Sequence, residues 1–78
     1  MQNDWMTRLT ALHQRLMLCP ADLPAHSELA ALLEHLDQHE EALSHWHTVL
    51  AADPNHLKAR EGIARCRARA GRSLQSHS

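Results

Sequence analysis

Apolar residues recur along this chain every three or four positions, and no stretch alternates apolar with polar at the period of a strand. Four segments carry the helical pattern. The first, Asp4–Leu18, sets Trp5, Leu9, Leu12 and Leu16 on one face, with Asn3 placed to cap it and Pro20 to stop it. The second, 24–36, follows Asp22 as a candidate cap and carries Pro24 in its first turn, where no needed amide donor is lost. Its apolar face is Leu29, Leu32, Leu33 and Leu36. The third, 38–52, opens on Asp37-x-x-Glu40, which reads as a capping box, and aligns Ala42, Leu43, Trp46, Val49 and Leu50. Pro54 ends it, because the residue before a proline avoids helical geometry. The fourth, 57–70, is expected to be capped by Asn55 or His56 and to close at Gly71, with Arg67 and Arg69 near the negative end of the helix dipole. The expected fold is all-α, with about four antiparallel helices over residues 1–72 and a disordered tail over 73–78.

The chain also repeats itself. At a spacing of 34, Leu9 falls on Leu43, Leu12 on Trp46, Leu16 on Leu50, Pro20 on Pro54, Ala25 on Ala59, Leu29 on Ile63 and Ala30 on Ala64. Each pair is alike and lies on an apolar stripe or at a break, as a stacked helical array requires. From Leu23 to His56, Leu29-Ala30, Leu33, Ala42-x3-Trp46 and Pro54 follow the spacing L-G-x2-Y…A-x3-F…P. In this the chain resembles the tetratricopeptide repeat family over roughly residues 5–71. His26 stands where that pattern has Trp. A truncated second unit has Ile63-Ala64, with Arg60 and Arg67 at the Trp and Tyr places, and the first helix resembles the second half of a preceding unit, with Arg8 at its Ala place.

The resemblance implies one full unit between two half units, acting as a protein-interaction module. In that family the first helix of each unit lines a concave groove for extended peptides or partner helices. Here the groove would take Ser27, Ala31, Glu34 and His35 from the second helix and Lys58, Glu61, Arg65, Arg69 and Arg72 from the fourth. The family's carboxylate clamp is not expected, since only Lys58 of its set is kept.

Charge sharpens this picture. Residues 57–78 carry six cations against Glu61 alone, a surplus of +5, whereas residues 1–56 carry Arg8 and Arg15 against eight acids, or −6. Lys58, Arg65, Arg69 and Arg72 form one stripe, which suits an acidic or phosphorylated protein segment. A nucleic-acid-binding helical domain is the alternative, although the net charge of −1 and the absence of aromatic residues near the arginines argue against it.

Eight histidines raise a third reading, a His-based metal site. His35 and His39 are four apart, but Asp37 divides them between helices, and His45 and His47 point to different sides of one helix. Scattered surface histidines are the simpler expectation, and no cofactor is expected. Cys19 and Cys66 read as two reduced thiols. No nucleophile motif or Gly-rich phosphate loop is present, so no enzyme is expected. No signal-peptide pattern and no apolar run of the ~20 residues a membrane span needs occurs, which suggests a cytoplasmic protein. Because repeat arrays need about three units to bury their cores, self-association is also expected.

Overall fold

The computed structural model describes the backbone of residues 4–75 and the side chains of residues 4–69. Four helices follow one another: α1 (Asp4–Leu18), α2 (Leu23–His35), α3 (His39–Ala52) and α4 (Leu57–Gln75). Each successive pair is in contact, and α2 also touches α4. No strand occurs among the described residues. Asn3, expected to cap α1, and residues 76–78 of the expected tail lie outside the described residues.

Local chemistry accounts for most of the boundaries. The Asp22 carboxylate accepts from the Ala25 amide at 3.1 Å, so it satisfies one of the free donors at the start of α2. His56 does the same for α4, where its Nδ1 accepts from the Ala59 amide at 3.1 Å. Before it, the Asp53 carboxylate accepts from the Asn55 amide at 3.2 Å, fixing the turn around Pro54.

Two expectations about helix ends are corrected. Asp37-x-x-Glu40 is not a capping box: Gln38 is the N-cap of α3 and makes no side-chain cap bond. Asp37 instead terminates α2. It adopts the left-handed conformation at φ 62. Its amide donates to the Glu34 carbonyl at 3.0 Å, while the Gln38 amide donates to the Leu33 carbonyl at 2.8 Å. This is the Schellman pattern with Asp in the place usually held by Gly. Nor does Gly71 close α4, which continues to Gln75 and takes in residues 73–75 of the expected tail.

The core is drawn from all four helices. Leu12 of α1, Leu29 and Leu33 of α2, Trp46 and Val49 of α3, and Ile63 and Cys66 of α4 are buried. Six of the seven pairs related by 34 positions share an environment: three buried, two half-buried, and one proline pair exposed in turns. The exception is physical. Ala30 is buried, with α3 packed alongside α2, whereas Ala64 is exposed on α4. Arg60 and Arg67 flank Ala64, so this face is charged where α2 carries His26 and Leu33.

At the other end, α1 packs against α2 alone. Only Leu12 of that helix is buried, and Trp5 is 43% exposed instead of joining the core stripe.

Trp46 is 1% exposed and is wedged against Gly62 of α4 as well as lying between α2 and α3. A Cβ built at Gly62 would overlap the indole at Cδ1, Nε1 and Cε2. Glycine inside a helix ordinarily costs about 1 kcal/mol relative to alanine, so Gly62→Ala would stabilise an unobstructed helix. Here the ring cannot yield, because it is enclosed and its N–H is bonded. Gly62→Ala is therefore expected to destabilise the fold by about 1–3 kcal/mol, the range for overpacking. A thermal melt checks this; a raised melting temperature would contradict the packing.

Candidate binding cleft

The side chain at the centre of the cleft is Glu34, in the last turn of α2. Burying an indole leaves its N–H in need of an acceptor. Trp46 Nε1–H donates to Glu34 Oε2 at 2.6 Å. From α4, Arg65 donates through Nε to Glu34 Oε1 at 3.0 Å and through Nη2 to Oε2 at 3.2 Å. One carboxylate thus joins α2, α3 and α4. Burial pushes the Glu34 carboxyl up. The hydrogen bonds from Arg65 and Trp46, with the Arg65 charge and a smaller contribution from His39, outweigh that effect and hold it below 4.5. The same contact raises the Arg65 guanidinium above its ordinary value.

Around this junction lies an open cleft of about 470 Å³. Ala31, Glu34 and His35 form its α2 side, Arg65 and Arg69 its α4 side, and Asp37 and His39 one end. Five of the nine expected groove residues therefore meet. Ser27 and Lys58 do not join them; they line a separate hollow of about 340 Å³ beside His56. Glu61 is exposed and lines neither of these. The backbone of Arg72 lies in α4, but its side chain is outside the described residues.

Arg65, expected to draw the partner together with Arg69, is half-exposed and donates to Glu34 from one edge of its guanidinium, through Nε and Nη2. Lys58 and Arg69 are exposed and make no ion pair with any described residue. Asp37 and His39, which the sequence reading did not place in the groove, arrive there because the Schellman turn folds the α2–α3 corner over the end of the cleft. His39 Nε2 lies 3.5 Å from Asp37 Oδ1, and its Nδ1 is buried without a partner.

Among the described residues, no three His, Cys, Asp or Glu side chains converge closely enough to hold a metal ion. Cys66 is buried, which pushes its thiol up, and Cys19 is exposed. No described helix is long and apolar enough to cross a membrane.

Comparison with known proteins yields no matching family model, curated protein or solved structure.

The Glu34 junction predicts a pH response of definite sign. A carboxyl held below its unfolded value contributes stability above about pH 4.5, and that contribution is lost as the pH falls through the folded value. Glu34→Ala should cost about 1–3 kcal/mol at neutral pH, because it strands a buried indole N–H. It should also flatten the acid limb of the stability–pH curve. Denaturant melts from pH 3 to pH 7 test both, and an unchanged acid limb would contradict the assignment.

Proposed function

We propose that the chain is a tetratricopeptide-like interaction module with a binding and not a catalytic role. It receives an extended peptide or a partner helix in the cleft between α2 and α4. The observation that carries this reading is the adjacency of α2 and α4. They are equivalent helices one repeat apart, and they bring Ala31, His35 and Arg69 to the walls of one open cleft. A small residue at Ala31 leaves room for a backbone to approach, while the Glu34–Arg65 pair gives the floor a fixed, neutralised polar surface.

The partner is an acidic protein segment. Arg69 in the cleft and Lys58 beyond it have no ion-pair partner among the described residues, so they attract negative charge. Arg69 can grip a carboxylate through two parallel hydrogen bonds.

Selection of peptides from a random library, followed by mapping of bound peptide on the chain by NMR shifts, tests this. Shifts should cluster at Ala31, His35 and Arg69, the peptides should be acidic, and affinity should fall as salt rises. Arg69→Glu should weaken binding about tenfold or more with helicity unchanged, because a rim charge is reversed. Arg65 is unsuitable for this test, since reversing it would repel Glu34 and disturb the core. Shifts mapping to the outer face of α1, or an Arg69→Glu variant that binds like the parent, would overturn the reading.

A further inference from the structure

Away from the cleft, two histidines meet head-on. His26 in the first turn of α2 and His45 in the middle of α3 approach with their Nδ1 atoms 3.0 Å apart. The other nitrogen of His26, Nε2, is 2.8 Å from the carbonyl oxygen of Pro20 in the α1–α2 turn. A carbonyl only accepts, so His26 carries its proton on Nε2, and in the neutral ring its Nδ1 presents a lone pair. His45 must then carry its own proton on Nδ1 and donate it across the gap.

The geometry separates this from a metal bridge. The ring centroids are 5.2 Å apart, about the distance expected when both nitrogens lie on the line joining the rings. Two metal ligands would instead aim their lone pairs at a third point.

We propose that His26 and His45 form a proton-sharing latch that holds the α1–α2 turn to α3, and that opens when both rings are protonated. With no added proton, His45 donates to His26. With one added, either ring can be the imidazolium and the contact survives as a charge-assisted bond. With two, both Nδ1 atoms carry hydrogen, neither can accept, and two positive rings face each other.

The position of the pair gives the latch a mechanical consequence. Since α1 packs against α2 alone, the chain from His45 through His26 to the Pro20 carbonyl is a direct link between α3 and the turn that carries α1. Opening the latch therefore loosens α1 while the Trp46 junction keeps α2, α3 and α4 together.

The charges facing His45 are His26 from α2, His13 from α1 and Glu41 from α3 itself. Burial, then the His26 charge, hold the His45 imidazole below 6.5; Glu41 opposes this and His13 adds to it. A lowered imidazole value means that the folded state binds fewer protons than the unfolded one. The contribution to stability is therefore complete above about pH 6.5 and is lost as the pH falls through the folded value.

Long-range proton–nitrogen NMR on the full chain at pH 7.5 reads the tautomers directly. Hydrogen exchange at pH 7.5 and pH 5 reads the release of α1. His26 should be the Nε2–H form and His45 the Nδ1–H form. The protection factors of α1 amides should fall about tenfold more than those of α3 on acidification. His45→Gln should keep the fold and lose this response, because an amide can donate to neutral His26 and accept from the protonated ring. An Nε2–H tautomer at His45, or protection of α1 that is unchanged at pH 5, would overturn the proposal. So would an acid response retained in His45→Gln, or Zn²⁺ titrating both Nδ1 atoms at stoichiometric concentration.

Discussion

A buried indole N–H has to be answered by an acceptor, and the arrangement of α2, α3 and α4 follows from which acceptor answers it. Trp46 is the largest fully buried side chain, and the partner of its N–H is a carboxylate. A lone carboxylate in that position would resist burial in its charged form. Arg65 resolves the conflict by lending two donors from α4. The ring of Trp46 in turn needs the space that Gly62 leaves on the same helix. Three helices are thereby fixed by one aromatic residue, one acid, one base and one missing side chain.

The same junction sets the charge of the cleft. A stripe of four cations reads from the sequence as a strongly basic groove, but Glu34 partly neutralises Arg65 there. Under the proposed function, attraction for an acidic segment then rests mainly on Arg69, with Lys58 in a neighbouring hollow.

Much of the fold was legible because it is written in short-range signals. Pro20, Asp22, Pro24 and Pro54 act within a few residues of themselves, and the 34-residue period matches inward-facing positions of α1 to those of α3 and of α2 to those of α4. What was missed depended on geometry or on long-range partners. Asp37 looked like the first residue of a capping box, yet a left-handed residue closing the preceding helix satisfies more carbonyls at that corner. Trp5 has the spacing of a core residue, but α1 meets one neighbour and buries only its middle. The pairing of Arg65 with Glu34 spans 31 residues, and nothing local announces it. Its sole clue was that a Trp at the repeat's packing position needs an acceptor. The contact between His26 and His45 had no comparable signal, because it joins two helices across 19 residues and no local spacing marks the pair.

Glu34 and Trp46 act as one unit across helices, and a double-mutant cycle measures their coupling most directly. Trp46→Phe removes the N–H while keeping an aromatic ring, and Glu34→Ala removes the acceptor. Chemical denaturation of the parent, the two single variants and the double variant yields their coupling. If the hydrogen bond ties α2 to α3, the costs will be non-additive by about 1–2 kcal/mol, in the range for directly bonded neighbours. Additivity to within about 0.3 kcal/mol, as for independent sites, would contradict the account.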